Sequence, residues 1–101
     1  MKLVQIFLPL RDNRGRRFEP ELYSRVRADL MERFGGLTAY ARSPAHGPWI
    51  SGRKTKTDDI VIFEVMTPRI ARSWWKTYRR KLERLFRQDE IVVRVQSVAL
   101  L

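Results

Sequence analysis

The chain contains no cysteine, which excludes disulfides, thiolate nucleophiles, zinc–thiolate sites and iron–sulfur clusters. Such a chain suits a reducing cytoplasm, and a cytoplasmic location is expected. Histidine occurs once, at His46, too seldom to build a nitrogen-rich metal site. Asp58 and Asp59 would point to opposite faces of an extended strand, so they make a poor metal pair and neither metal nor cofactor is expected. No apolar run approaches the length of a membrane span. The apolar opening from Met1 to Leu10 is interrupted by Gln5 and followed at once by Arg11 rather than by a small-x-small cleavage site. It reads as a first strand, not a leader. Acidic residues are also scarce, 11 Asp and Glu against 21 Lys and Arg, for a formal charge of +10. That balance favours acidic partners without choosing among nucleic acid, anionic lipid and small anions.

Standard catalytic signatures are absent as well. Neither a GxSxG elbow nor a GxGxxG turn occurs. The stretch Gly47-Pro48-Trp49-Ile50-Ser51-Gly52-Arg53-Lys54-Thr55 misses a phosphate-binding loop on three counts. Arg53 displaces the lysine, Pro48 removes an amide donor, and a strand is expected after it where a helix is needed.

What the 101 residues do contain is a regular alternation of elements, with length for one domain spanning 1–101. Residues Lys2 to Leu8 read as a strand, and the charged Arg11-Asp12-Asn13-Arg14-Gly15-Arg16-Arg17 as a turn. A helix is predicted from Pro20, with Leu22, Val26, Leu30 and Phe34 as its apolar stripe and Gly35-Gly36 as its stop. Leu37 to Arg42 reads as a second strand and Asp59 to Met66 as a third, joined by a connection rich in proline and glycine. Thr67 as cap and Pro68 at the first position predict a second helix running to about Arg87. Ala71, Trp74, Trp75, Tyr78, Leu82, Leu85 and Phe86 fall on one arc of it, and arginines and lysines cover the rest. Ile91 to about Leu100 supplies the last strand.

The resulting β-α-β-β-α-β order, with right-handed crossovers, predicts an α+β sandwich with two helices on one face of a four-stranded antiparallel sheet. Met31-Glu32-Arg33-Phe34 and Leu82-Glu83-Arg84-Leu85, at the ends of the two helices, echo one another. In element order over nearly the whole chain the sequence resembles ferredoxin-like proteins, and more narrowly the dimeric α/β-barrel group. That resemblance implies a homodimer formed through the uncovered sheet faces around a small-molecule site, and carries over no functional residue.

Charge inside the strands points to that uncovered face. Glu64 stands within Ile60-Val61-Ile62-Phe63-Glu64-Val65-Met66 and Arg94 within Ile91-Val92-Val93-Arg94-Val95, where burial is costly unless the charge is paired. Period-2 alternation puts Val4, Ile6, Leu8, Val61, Phe63, Val65, Val93 and Val95 beneath the helices. The opposite face then displays Gln5, Phe7, Tyr40, Arg42, Ile62, Glu64, Arg94 and Gln96, too apolar for water and too polar for a plain core. Glu64 and His46 are the candidate proton acceptors, His46 because an unperturbed imidazole titrates near neutrality. Tyr40, Arg42, Trp49, Arg94 and Gln96 are the candidate ligand-binding residues, with His46 and Trp49 placed to cover a cavity mouth from the long connection.

The expected function is binding or transformation of a small polar or anionic organic ligand in a cavity over the sheet. Two other readings stay open. Glu64 with Arg94 or Arg42 is equally intelligible as a structural ion pair in a module that only binds protein. The basic second helix and the Arg53-Lys54-Lys56 tip could bind nucleic acid nonspecifically. Base reading on the sheet is not expected, since the third strand lacks the Lys/Arg-Gly-aromatic run and Glu64 would repel phosphate. Attachment to a membrane surface is not expected either, because the apolar arc of the second helix is needed to cover the sheet.

Overall fold

The computed structural model describes residues 1–36, 38–42 and 60–101, the segment 38–42 through its backbone. Strands β1 (Lys2–Pro9), β2 (Thr38–Arg42), β3 (Ile60–Thr67) and β4 (Val92–Ser97) and helices α1 (Pro20–Phe34) and α2 (Arg72–Leu85) follow in the order β1-α1-β2-β3-α2-β4. The fold is α+β, with an antiparallel sheet and two helices. β1 lies between β3 and β4, and β2 pairs with the far side of β3, giving the order β2-β3-β1-β4.

The register sorts the side chains as alternation requires. Val4 pairs with Val65 and Val95, and Ile6 with Phe63 and Val93. Antiparallel partners share a face, and this one packs against the helices. Val4, Ile6, Leu8, Phe63 and Val65 form one buried cluster with Val26 and Leu30 of α1 and Trp75, Tyr78 and Leu82 of α2. Phe18, from the segment before α1, closes one end by stacking edge-on against Phe86 at 5.1 Å, with Tyr23 5.4 Å from the same ring. The Tyr23 hydroxyl donates to the Pro9 carbonyl at 2.5 Å, tying α1 to the end of β1. Val95 departs from the expected pattern. It is 46% exposed, since β4 is an edge strand and Val95 opens onto a surface hollow with Ile70, Arg72 and Trp75.

The α1 ends match the sequence signals. Pro20 opens the helix, and Gly35 closes it in the left-handed conformation at φ 70° with its N–H donating to Met31 O at 2.8 Å. The predicted start of α2 is corrected. Thr67 does not cap a helix: it still pairs with Lys2 as the last residue of β3, and its hydroxyl donates to Arg69 O at 3.0 Å. The chain then needs residues 68–71 to leave the sheet plane, with Ile70 packing onto the core, and α2 begins at Arg72. It stops at Leu85, earlier than expected, because Arg87 adopts φ 49°, a region that ends a right-handed helix. β4 is also shorter than predicted. Past Ser97 one more backbone bond follows the same register, the Val98 N–H donating to Met1 O at 2.9 Å.

Candidate functional site

Pairing of the remaining strand positions assembles the uncovered face. Gln5 pairs with Glu64 on one side and Arg94 on the other, Phe7 with Ile62 and Val92, and Leu3 with Met66 and Gln96. Thr38, Tyr40 and Arg42 fall opposite Glu64, Ile62 and Ile60 in backbone register, so those positions continue the same columns. Among the described side chains the face is apolar apart from Gln96 and one row of polar groups. Met66 and Val92 are 51% and 50% exposed, and Ile62 is fully buried yet stands outside the helix-side cluster.

That row is a polar chain across three strands. Gln5 Nε2 donates to Glu64 Oε2 at 2.6 Å, and Arg94 Nη2 donates to Gln5 Oε1 at 3.1 Å. The other expected partner of Glu64, the Arg42 side chain, lies outside the described residues. Glu64 and Arg94 therefore meet through Gln5 rather than directly. The reason is topological. β1 runs between β3 and β4, so the two charges start about 9.6 Å apart, two strand spacings. A glutamine on the central strand, acceptor at one atom and donor at the other, joins acid and guanidinium across that gap. Arg94 also lies over the Phe7 ring, 4.6 Å from its centroid, a cation–π contact that fixes the guanidinium against the apolar floor. The sequence placed Gln5 on this face with the two charges but not its bridging role, which depends on which strand lies in the middle.

Of the other candidate residues, Gln96 is exposed on β4 opposite Leu3, two positions from Arg94. Tyr40 and Arg42 are placed by backbone register alone. His46 and Trp49 lie outside the described residues. Among the described residues, no cluster of three or more His, Cys, Asp or Glu could hold a metal, and no helix is long and apolar enough to cross a membrane.

A second polar cluster, not anticipated from the sequence, sits on the helical side. The Tyr78 hydroxyl donates to Asp29 Oδ2 at 3.1 Å, and Lys81 Nζ reaches the same oxygen at 3.4 Å. Burial, then the negative charge and hydrogen bond of Asp29, holds the Tyr78 phenol well above its usual range. Trp74 stacks on Tyr78 at 4.8 Å, and the Arg33 guanidinium covers the Trp74 ring at 4.6 Å. These residues line a shallow cleft of about 610 Å³ between α1 and α2. The available signal was Tyr78 itself, since a phenol on a buried arc needs a hydrogen-bond partner.

Fold and site define a small α+β protein whose helices cover one sheet face and whose other face carries an apolar floor crossed by an acid–amide–guanidinium row. No family model matches the chain, and no curated protein does. Two solved structures share its fold. A phage SAM lyase in complex with S-methyl-5'-thioadenosine superposes with a TM-score of 0.63 at 14% identity, over 94% of this chain and 79% of that one. A phage SAM lyase in the apo state gives 0.59 at 14% identity, over 94% and 78%. At that identity the likeness is one of fold.

Proposed function

We propose that this chain is a ferredoxin-like protein whose uncovered sheet face binds a small polar organic ligand of the nucleoside type, with a second copy closing over the face. The observation that carries the reading is the Glu64–Gln5–Arg94 row set in an apolar floor. A few convergent polar groups among apolar ones is the usual make-up of a ligand site. The strand order, with both helices on one face, supports the ferredoxin-like assignment, and the fold likeness to a lyase complexed with S-methyl-5'-thioadenosine supports the choice of ligand class. Glu64 accepts a hydrogen bond, or a proton, from the ligand. Arg94, braced on Phe7, and Gln96 orient it, with Tyr40 and Arg42 contributing from β2 and His46 and Trp49 from the connection that follows. Exposed Met66 and Val92 supply apolar area for the second copy.

Isothermal titration with S-methyl-5'-thioadenosine and with SAM tests the reading. Micromolar binding is expected, weakened at least tenfold by Glu64→Gln, a difference of about 1.4 kcal/mol. Absence of binding by either compound, or unchanged binding in both Glu64→Gln and Arg94→Met, refutes it. Sedimentation at micromolar protein tests the second copy, and a ligand-bound monomer removes it.

A further inference from the structure

The positive charge is concentrated on a surface that the sheet-face reading leaves unused. Arg72, Lys76, Arg80 and Arg84 follow one i,i+4 row of α2, all exposed. Their backbone positions span about 18 Å along the helix axis at about 6 Å per step. The ion pairs among the described residues are Arg16 with Asp12, Arg79 with Glu83 and Lys81 with Asp29. None of them neutralises a member of the row. At its C-terminal end the row is extended by Arg87, whose φ of 49° turns the chain toward the 11–17 turn, where Arg87 lines a surface hollow with Arg14, Arg16 and Asp12. That turn is held in shape. Asp12 Oδ1 accepts the N–H groups of Arg14 and Arg16 at 2.8 and 2.9 Å, and Arg11 bridges Arg17. Arg16 is offset by Asp12, while Arg14 adds net charge.

We propose that this band, from Arg72 through Arg84 to Arg87 and Arg14, binds the phosphate backbone of duplex nucleic acid. Six positive side chains in line match a polymer that carries one charge per about 1.7 Å of axis. Arginine predominates, and its planar fork suits phosphate oxygens. A membrane surface fits less well, because the apolar arc of the same helix, Trp75, Tyr78 and Leu82, is consumed by the core and nothing remains to insert. An acidic protein fits less well, because the exposed band is itself a row of charges, whereas the centre of a protein interface is depleted in charge. The apolar groups beside it sit in separate hollows, Ile70, Trp75, Val93 and Val95 with Arg72 and Lys76, and Phe18, Leu22 and Leu85 with Arg87. Base edges are not read, so binding is independent of sequence. The proposal stands apart from the ligand site, which occupies the other side of the sheet.

Fluorescence anisotropy with a labelled 30-base-pair duplex over 50–200 mM salt tests it. Six contacts predict a log–log salt slope of about −5, and replacing Arg72, Lys76, Arg80 and Arg84 by glutamine should flatten it to about −2. Glutamine keeps helix propensity at these exposed positions, and the variant should unfold at the same temperature as the wild type. The pair Arg25→Gln and Arg27→Gln, exposed on α1, should leave the slope nearly unchanged. In the unaltered protein the duplex should protect Lys76, but not Lys2, from acetylation. Four results overturn the proposal: no binding at 50 mM salt, an unchanged slope in the fourfold variant, an equal loss per charge in the α1 pair, or protection of Lys2 without Lys76. Tighter binding to phosphatidylserine-containing vesicles or to polyglutamate than to the duplex at equal salt also overturns it, in favour of a membrane or an acidic protein.

Discussion

Replacing Gln5 by leucine tests the central feature of the uncovered face. The substitution conserves bulk on β1 but removes both the donor to Glu64 and the acceptor for Arg94. A hydrogen bond to a charged group contributes about 1.5–3 kcal/mol when sheltered. Here the Glu64 bond is part-buried and the Arg94 bond exposed, so solvent screening reduces the pair to about 1–2 kcal/mol in total. For a domain of this size that corresponds to a fall in Tm of roughly 5–10 °C. Glutamate at the same position should not rescue it. It gives Arg94 an anionic partner but sets a carboxylate directly opposite Glu64, and like charges so placed repel. Urea denaturation of wild type, Gln5→Leu, Arg94→Leu and the double variant closes a double-mutant cycle, with an expected coupling of about 0.5–1 kcal/mol between residues 5 and 94. A Gln5→Leu protein within about 0.3 kcal/mol of wild type, with no coupling to Arg94, would refute the account of Gln5 as the joint between the two charges.

Two further outcomes follow from the packing on the helical side. Phe86→Ala, which deletes a fully buried ring held against Phe18 and Tyr23, should cost about 3–5 kcal/mol in urea denaturation, and a loss below about 1.5 kcal/mol would contradict the packing. The Tyr23 phenol is pushed up to about 12 by burial, against an opposing pull from Arg17. Its protonated form is thus favoured in the folded chain, so its contribution is complete below pH 10 and lost as pH rises through about 12. Two pH units set an upper bound of about 2.7 kcal/mol, and screening at this half-buried ring lowers it to about 1 kcal/mol. Between pH 9 and 11.5 the wild type should lose the larger part of that, relative to Tyr23→Phe, and parallel curves would contradict the assignment.

The sequence carried the alternation in β1 and β3 because each has one face largely buried, and burial at period 2 writes itself into residue choice at Val4, Ile6 and Leu8 or at Phe63 and Val65; β4 keeps the same spacing with no residue fully buried. The stripe of α1 and the arc of α2 were legible for the same reason. Helix starts were less so. Pro20 and Thr67-Pro68 give similar local signals, yet only the first opens a helix, since the second lies where sheet pairing with Lys2 outcompetes a cap. At the candidate site, Glu64 and Arg94 announced themselves as charges among apolar neighbours. Gln5 was placed on the same face by alternation, but not as the joint, because a lone amide in a strand is unremarkable until its two cross-strand partners are known. The Asp29–Tyr78 contact joins helices 49 residues apart, and no local pattern records such a meeting.

The placement of β1 also bears on the order in which the molecule can be made. Lys2 finds its partners at Thr67 and Ser97, so an interior strand of the sheet emerges from the ribosome well before either of them exists. Val4, Ile6 and Leu8 must wait, greasy and unpaired, until α1 and then the β3–α2–β4 stretch have followed. A nascent chain stalled before residue 60 would be the form most in need of a chaperone, and trimming the first nine residues would remove the middle of the sheet rather than a margin.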